Sequence, residues 1–585
     1  MRSFRILGKF LKPYKGIAFL GPLLMVLEVT MDLLQPIIMQ KIIDYGIANH
    51  DNDYVIQMGM FMVIAALIGL VGGLGCIYFS TKTAVHFSAD IRKTVLNKIM
   101  TFSGEDREYF GSGKLITIVT SDIITIQTAL NMTLRILVRG PLLFIGSMGI
   151  VLFSGNGLYP ILFVVVPILL FSIFLIVSRS GRLFKKVQES IDKVNTKLQE
   201  NLAGMRVIKA YVQQKQEIEK FRQVNDGWTK ANRSAVQVNS IMMPVIMLVI
   251  NGGIIGTLWL GSFNVANNSI EVGEILAFIN YLMLILMSLM SISMVSILIT
   301  RAFPSVERVQ EVLEQKVNIM RSTDGFRPEQ IFGQIEFRDV SFSYSKNEEQ
   351  VLKHVSFRVD ATKKIGIIGS TGSGKSTLVK LIARLYDVDA GEILVDGVNI
   401  KQIDLSILRS SIGFVTQKAT LFSGTIAENI RYGNSSADEA AIETASRDAC
   451  AVEFIHRLEQ GYNHELTQGA MNLSGGQKQR LSLARALIRP APILILDDST
   501  SAVDAKSEEM IQSALRKEKD KTIFIIASKI SSILDADHIL VLEDGELVGR
   551  GTHHQLLETC DVYREIYLSQ GGHTESVAET GRGIQ

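Results

Sequence analysis

The residues whose chemistry is easiest to assign lie at 369–377, directly after the apolar run Ile-Gly-Ile-Ile at 365–368. This order predicts a buried strand that runs into a glycine-rich turn and then into an apolar helix. Glycines let backbone N–H groups curl around a phosphate, Lys375 would neutralise the β- and γ-phosphates, and the Ser376 hydroxyl would reach Mg²⁺. The predicted nucleotide-binding residues of this loop are Gly369, Ser370, Thr371, Gly372, Ser373, Gly374, Lys375, Ser376 and Thr377.

A second buried strand is predicted at 493–496, and it ends in Asp497 and Asp498. A carboxylate at the end of such a strand is typical of the group that holds the magnesium ion of a bound nucleotide. Together with the glycine-rich loop, Asp497 indicates a site for ATP and Mg²⁺. This pair of motifs occurs in many classes of nucleotide hydrolase and does not separate them.

The sequence Leu-Ser-Gly-Gly-Gln at 473–477 distinguishes one class of nucleotide hydrolase from the others, because it is the signature of ABC proteins. The chain resembles ABC exporters in which a membrane domain precedes the nucleotide-binding domain. In that family two ATP molecules are sandwiched head to tail, each between the phosphate loop of one chain and the signature of the other. The resemblance therefore implies that four signature residues contact an ATP held by a second chain: Ser474, Gly475, Gly476 and Gln477.

The resemblance implies further roles. Tyr344 would stack on adenine, and Gln417 would sense Mg²⁺ and contact the membrane domain. The sequence Ser-Ala-Val-Asp at 501–504 matches the D-loop of the family. The segments 109–115 and 204–211 match the two coupling segments that transmit domain closure to the membrane helices.

Two positions depart from the family pattern. Asp498 stands where the family has a glutamate that polarises the attacking water, and Ser528 stands where it has the switch histidine. An aspartate side chain is one methylene shorter, and a serine cannot carry positive charge toward the γ-phosphate. The predicted catalytic residues are Asp498, Ser528 and Gln417. Because general-base positioning is worth roughly 10²–10⁴ in rate, the departures at Asp498 and Ser528 predict weak hydrolysis by this chain's own site.

The intact signature could still complete a working site on a partner that has the glutamate and the histidine. We therefore expect a heterodimer with a second ABC half-transporter, the pattern of asymmetric bacterial multidrug exporters. Three alternatives stay open: a slow homodimer, a lipid translocase, and a regulatory ATP-binding subunit that drives no transport.

The elements that must position this site begin with a membrane domain. The chain is 47% hydrophobic, and a bilayer core needs about 20 apolar residues per helix. Arg135 and Arg139 interrupt the start of the third predicted span, which indicates a helix that continues out of the membrane on that side. The spans are predicted near 17–40, 55–80, 134–154, 158–178, 241–262 and 275–300.

The charges of the loops predict the orientation. Basic loops at 1–16, 81–130 and 179–238 alternate with loops that lack Lys and Arg at 43–54 and 263–274. By the positive-inside rule, both termini and the ATPase domain are expected in the cytoplasm. The resemblance to bacterial multidrug exporters implies that the membrane is the plasma membrane of a bacterial cell. The two basic loops after the first are about 50–60 residues long and are predicted to be helical extensions of the bundle.

The predicted architecture is thus an α-helical six-span transmembrane domain with long cytoplasmic helical extensions, followed by an α/β P-loop ABC ATPase domain. The boundaries are an amphipathic N-terminal elbow at 1–16, a transmembrane domain at 17–310, a linker at 311–333, the nucleotide-binding domain at 334–570 and a disordered tail at 571–585.

Polar residues inside the spans bear on the cargo. Glu28, Asp32 and Gln35 share one face of the first span, and carboxylates at membrane depth face a cavity or a partner. They predict either a cavity for cationic amphiphiles or a pair with a basic neighbour. The methionines at 283, 287, 290 and 294 form a second stripe that suits either a promiscuous apolar surface or helix packing.

Amphipathic small molecules are therefore the expected cargo, and the sequence does not distinguish among drugs, lipids and peptides. A net charge of only +2 gives no indication of a nucleic-acid partner. Gly69 and Gly73 are spaced for close helix contact and are predicted to be structural.

Overall fold

The computed structural model describes residues 8–154, 157–267, 269–316, 319, 325–345, 349–500 and 503–571, apart from the side chains of 296 and 297. The first seven residues of the predicted elbow, Ser501 and Ala502 of the D-loop, parts of the linker, and all but the first residue of the predicted tail lie outside the described residues. The chain forms two compact units. The first comprises Met1–Ile99 and Gly113–Gln315, and the second comprises Met100–Ser112 and Lys316–Gln585.

Six helical stretches among the described residues are long and apolar enough to cross a membrane. Each has 40 to 53 residues, about twice the length that a bilayer core requires. The predicted six-span domain with helices that continue beyond the membrane is therefore confirmed. The stretches are Gly8–Ile47, Asn52–Ile99, Ser112–Phe153, Pro160–Ala203, Gln214–Ala266 and Val272–Glu314.

Within these stretches the regular helices have the following bounds. Short π-helical segments at Ile42–Ile47 and Ile118–Asp122 extend two of them. The α-helices are α1 (Lys15–Lys41), α2 (Asn52–Ile99), α3 (Gly104–Phe110), α4 (Ser112–Thr117), α5 (Ile123–Phe153), α6 (Pro160–Ala203), α7 (Met205–Ala210), α8 (Gln214–Ser240), α9 (Met242–Ala266) and α10 (Val272–Glu314).

Glycines allow α2 to pack closely on α1. A Cβ atom on Gly72 would lie 2.9 Å from the carbonyl oxygen of Leu24 and 3.1 Å from the backbone nitrogen of Glu28. Gly69 and Gly73, the two glycines singled out in the sequence, meet the side chains of Met31 and Glu28 instead. The tightest backbone approach is therefore at Gly72, and small residues at such points let apolar helices come close in a membrane.

The carboxylates of the first span have a protein partner. Arg139 of α5 forms ion pairs with Glu28 at 3.2 Å and with Asp32 at 2.9 Å. The sequence left a cavity and a basic neighbour as alternatives, and the structure provides the basic neighbour. Pairing reduces the penalty of placing charged side chains among apolar helices.

The four methionines of the predicted stripe differ in their exposure. Met283, Met287 and Met294 are 40%, 65% and 76% exposed, whereas Met290 packs against the buried core of the unit. Three of the four thioethers therefore lie on an outer face of α10 in the single chain.

The second unit is built on a six-stranded sheet with the order β12-β11-β3-β10-β9-β6. Its strands β11, β3, β10, β9 and β6 are parallel, and β12 is antiparallel at the edge. A four-stranded sheet of order β2-β1-β4-β5 and a two-stranded sheet of β7 and β8 complete the strands. The bounds are β1 (Ile335–Phe342), β2 (Leu352–Val359), β3 (Lys364–Gly369), β4 (Ala390–Val395), β5 (Val398–Asn399), β6 (Ile412–Val415), β7 (Gly424–Thr425), β8 (Glu465–Leu466), β9 (Ile493–Asp497), β10 (Thr522–Ile526), β11 (His538–Glu543) and β12 (Glu546–Gly551).

Helices flank this sheet, so the predicted α/β architecture of the ATPase domain is confirmed. Strands β9 and β10 are buried along their whole length, as expected for parallel strands covered on both faces. The helices are α11 (Lys375–Ile382), α12 (Leu405–Ser410), α13 (Ile426–Arg431), α14 (Glu439–Asp448), α15 (Val452–His456), α16 (Gly475–Leu487), α17 (Ala505–Lys517), α18 (His553–Thr559) and α19 (Asp561–Ser569).

The segment Met100–Ser112 belongs to the second unit, although the sequence placed it within the membrane domain. Its contacts with Tyr386 explain this grouping. The Tyr386 hydroxyl donates to Glu108 at 3.2 Å, and a Cβ atom on Gly104 would lie 2.4 Å from the Tyr386 ring. Glycine at 104 therefore permits the ring to lie against the start of α3.

The packing of α2 on α1 predicts the effect of one methyl group. Gly72→Ala should destabilise the protein by about 1–3 kcal/mol, because the added Cβ meets backbone atoms that have no room to move. Gly59→Ala in the same helix is the matched control, because a Cβ there meets nothing within 4 Å. The measurement is the thermal unfolding midpoint of each variant in the same detergent. Equal midpoints for the two variants would contradict the close approach at Gly72.

Candidate functional site

The predicted phosphate loop connects β3 to α11. Gly372 and Gly374 have φ values of +91° and +94°, a left-handed conformation that glycine adopts readily. Gly369 is confined in a different way, because a Cβ there would lie 2.0 Å from the carbonyl oxygen of Leu542. Three of the loop's glycines are therefore required by the backbone path itself.

The side chain of Lys375 folds back and contacts the start of the phosphate loop. Its Nζ atom donates to the carbonyl oxygens of Gly369 at 2.9 Å and Ser370 at 2.6 Å. Burial lowers the pKa of Lys375, so an anion in the loop would stabilise its charged form. The buried Ser373 hydroxyl has no hydrogen-bond partner among the described residues. An ammonium group and an unpaired hydroxyl inside a ring of glycines fit a phosphate chain.

Of the three residues predicted at the metal site, Ser376, Gln417 and Asp497, the first and the last are in contact. The Ser376 hydroxyl donates to Oδ1 of Asp497 at 2.8 Å, and Asp497 is 3% exposed. Burial raises the pKa of Asp497, so a cation beside it would stabilise the carboxylate. A hydroxyl and a carboxylate oxygen are ligands that Mg²⁺ accepts. The donor set therefore fits the ion that accompanies ATP.

Asp498 and Ser528 also face each other. The Ser528 hydroxyl donates to Oδ1 of Asp498 at 3.4 Å, a long hydrogen bond. Asp498 has a φ of +50°, and aspartate is among the non-glycine residues that tolerate this region. The two departures from the family pattern are thus neighbours in space.

Tyr344 lies at the helix side of the phosphate loop. Its hydroxyl is 2.9 Å from the Thr377 hydroxyl, and Lys380 lies 5.8 Å from its ring centroid. The rings of Phe342 and Tyr386 each meet Tyr344 edge to face with centroids 5.1 Å apart. This packing fixes the plane of the ring that is predicted to stack on adenine, and Tyr386 is a contributor that the sequence motifs do not identify.

Gln417 lies exposed two residues beyond the end of β6. Strand β6 pairs with β9 in parallel, so Gln417 follows the same edge of the sheet as Asp497. Asp504 of the predicted D-loop caps α17 by accepting the Ser507 N–H at 2.9 Å. Gln417 therefore lies at the edge of the sheet that carries Asp497, whereas the described contacts of Asp504 fix only the start of α17.

The signature at 474–477 is positioned by the start of α16. The Ser474 backbone N–H donates to Oε1 of Gln477 at 2.8 Å, and the Gln477 N–H donates to the Ser474 hydroxyl at 3.4 Å. This capping box fixes the helix start, and Ser474 and Gly475 are exposed. Within the described part of the chain, none of the hydrogen bonds of these four residues reaches the phosphate loop.

Comparisons with known proteins agree with this geometry. Residues 18–289 match the family model for the ABC transporter transmembrane region, and residues 352–501 match the family model described as ABC transporter. The uncharacterised ABC transporter ATP-binding protein YfiB of Bacillus subtilis is 39% identical over 96% of this chain and 98% of its own. The chain belongs to the ABC transporter family. It is an ATPase-coupled transporter whose ATPase domain binds ATP.

Other relatives and a solved structure extend the comparison. An ATP-dependent lipid A-core flippase of Haemophilus ducreyi is 30% identical over 97% of this ABC transporter and 98% of its own chain. A bacterial Atm1-family ABC exporter with ATP bound has the same fold, with a TM-score of 0.77 at 24% identity over 95% of this chain and 98% of that chain. The predicted exporter architecture is confirmed, whereas a heterodimer with one degenerate site stays a prediction.

The geometry of Lys375 predicts its contribution to nucleotide binding. Lys375→Ala should weaken ATP binding by roughly 10²-fold, because it removes charge-assisted hydrogen bonds to phosphate. Lys519→Ala, at an exposed position just after α17, is the matched control. The measurement is equilibrium binding of a fluorescent ATP analogue to the purified chain. Equal affinities for the two variants would contradict the assignment of the phosphate loop.

Proposed function

We propose that this ABC transporter exports amphipathic or hydrophobic compounds, as a multidrug pump does, and is one subunit of a heterodimer. The chain contributes a degenerate hydrolysis site of its own and an intact signature to the site of its partner. The observation that carries this proposal is the pair Ser528 and Asp498, which face each other at 3.4 Å where hydrolysis would occur. Neither side chain can reach as far as the histidine and glutamate that the family has there.

The residues of the site divide the work. Lys375 and the glycine loop bind the phosphates, Tyr344 orients the base, and Ser376 with Asp497 would hold Mg²⁺, an ion that takes oxygen ligands of this kind. When bound, Mg²⁺ supplies charge neutralisation at the phosphates. Asp498 would have to orient the attacking water from a side chain that already accepts a hydrogen bond from Ser528. ATP binding is therefore expected to be intact while hydrolysis is slow.

Two exposed surfaces of the chain favour the presence of a partner chain that would cover them. Helix α7 has no buried residue, and it coincides with the predicted second coupling segment. Val207 in this helix and Tyr211 and Val212 directly after it are 60%, 73% and 77% exposed. Among the described residues, the hydrogen bonds of the signature do not reach its own phosphate loop. This likewise favours a second chain whose phosphate loop the signature would contact, since the family pairs the two between chains. We propose a partner half-transporter that covers both surfaces.

The cargo is proposed from the membrane unit. Arg139 pairs with Glu28 and Asp32 and offsets one of their two negative charges, which weakens the argument for cationic compounds in particular. The exposed methionines of α10 offer a flexible apolar face that suits varied amphipathic molecules. We place the transporter in a bacterial plasma membrane with both termini and the ATPase domain in the cytoplasm, on the charge pattern of its loops.

A second candidate function is lipid translocation, and Arg135 is the observation that favours it. Asn131, Arg135 and Arg139 follow one another at four-residue steps along α5. Arg135 forms no ion pair with any described residue, and its Nε atom is buried without a partner. An arginine at membrane depth needs an anion, and the headgroup of an anionic lipid would supply one. The names of the flippase relatives agree with this candidate.

The ATPase activity of the chain alone tests the main proposal. The chain purified in lipid should hydrolyse Mg-ATP at a rate near background, and the variant with Asp498→Glu and Ser528→His should gain roughly 10²-fold or more. The same chain with Lys375→Ala in addition is the control, since hydrolysis must then be lost again.

Robust hydrolysis by the unmodified chain would indicate a competent homodimer and remove the case for a partner. ATP-dependent accumulation of an amphipathic dye in sealed inverted vesicles separates an exporter from a regulatory subunit, because only an exporter moves its cargo uphill.

A lipid flip assay tests the second candidate. In proteoliposomes of the active complex, ATP-dependent movement of a labelled anionic lipid should fall several-fold in Arg135→Gln, because the headgroup loses its cation. Arg182→Gln, on an exposed part of α6, is the control. Unchanged lipid movement in Arg135→Gln would rule out this role for Arg135.

A further inference from the structure

The loop that follows β10 is held by a residue from the far end of the ATPase domain. Gln570 donates from Nε2 to the carbonyl oxygen of Ser528 at 2.9 Å, and its Oε1 accepts the N–H of Ile530 at 2.8 Å. One side-chain amide thus binds the backbone on both sides of Lys529. We call residues 528–532 the switch loop.

Gln570 is itself held firmly. It directly follows α19, and its backbone N–H donates to the carbonyl oxygen of Tyr567 at 3.2 Å. Helix α19 is anchored by Tyr563, which is fully buried and lies 2.7 Å from Nδ1 of His553 through its hydroxyl. The backbone from which the Gln570 side chain extends is therefore tied through α19 to the core of the domain.

The opposite end of the switch loop has a second anchor. The Ser532 hydroxyl donates to Oε1 of Glu508 at 2.5 Å, and the same oxygen accepts from the Thr500 hydroxyl at 3.2 Å. Between the two anchors, Ile530 is 2% exposed. Ser528 lies on the Gln570 side, so its backbone depends on Gln570 rather than on Glu508.

We propose that Gln570 is a positioning residue for hydrolysis, which fixes the backbone at residue 528 so that its side chain points to Asp498. Gln570 acts only through the switch loop and does not touch the nucleotide. The proposal rests on the proposed role of position 528 at the hydrolysis site. It assigns a function to the end of the ATPase domain, which carries no nucleotide-binding motif.

Two consequences follow from the geometry. Loss of the Gln570 amide would free the N–H of Ile530 and let the carbonyl of Ser528 rotate, so position 528 would sample several orientations. Binding of ATP through Lys375 and Tyr344 would be unaffected, since neither residue contacts the switch loop through a described hydrogen bond. A positioning role therefore lowers kcat and leaves KM nearly unchanged.

Hydrogen–deuterium exchange of the full chain in nanodiscs is the first test. In Gln570→Ala, peptides that cover the switch loop should exchange at least about five-fold faster, because two hydrogen bonds are lost. Gln570→Glu keeps an accepting oxygen and should protect Ile530 to within about two-fold of the parent chain. Ser569→Ala is the matched control, since its hydroxyl donates only to the local carbonyl of Ile566. Unchanged exchange in Gln570→Ala would overturn the proposal.

Steady-state kinetics are the second test, in the chain that carries Asp498→Glu and Ser528→His. Adding Gln570→Ala should lower kcat about three- to ten-fold with KM for ATP within two-fold, whereas Ser569→Ala should change neither. A rise in KM that matches the fall in kcat, together with a lower unfolding midpoint, would indicate a merely structural role and overturn the proposal. If the doubly substituted chain gains no activity, the proposed cause of weak hydrolysis fails, while the exchange experiment still decides the role of Gln570.

Discussion

The candidate site depends on one constraint, the parallel register of β3, β10 and β9. Strand β10 lies between the other two, so the phosphate loop after β3, the switch loop after β10 and the acids at the end of β9 meet at one edge. Two backbone hydrogen bonds fix how far each strand end extends relative to its neighbour. The Asp498 N–H donates to the Ile526 carbonyl oxygen, and the Ala527 N–H donates to the Ile367 carbonyl oxygen. Because these strands are buried on both faces, the edge is rigid, and the side chains on it are held within hydrogen-bond distance of one another.

At this edge of the sheet, the residues proposed to bind ATP differ from those proposed to direct its hydrolysis. The groups proposed to hold phosphate and metal are the loop backbone, Lys375, Ser376 and Asp497, which lie together at this edge of the sheet. The groups that would direct water are the two that are shortened, Asp498 and Ser528, and they are occupied with each other. A rigid backbone cannot move to compensate for a missing methylene, so the substitutions should reduce the rate and leave the affinity for ATP largely intact.

The membrane unit obeys a different constraint. Moving an apolar helix surface out of lipid yields little free energy, so the association of the helices depends on close packing and on polar contacts between them. Gly72 allows α2 to approach the backbone of α1, and the Arg139 pairs with Glu28 and Asp32 tie α5 to the same helix. Arg135 has no such partner among the described residues. The polar face of α5 is thus partly neutralised by the protein and partly left for other groups.

The sequence by itself determined the six spans, the α/β class of the second domain, the phosphate loop, the signature and the two departures at Asp498 and Ser528, because each is encoded locally by periodicity or by a contiguous motif. Only the tertiary structure decided that the first-span carboxylates pair with Arg139, that the tightest approach of α2 to α1 is at Gly72, that Met100–Ser112 groups with the ATPase unit, and that Gln570 holds the switch loop. These contacts join residues far apart in the chain, more than 100 positions for Arg139 and Asp32 and 42 for Gln570 and Ser528. No local pattern records such contacts, since they arise when the core brings separate elements together.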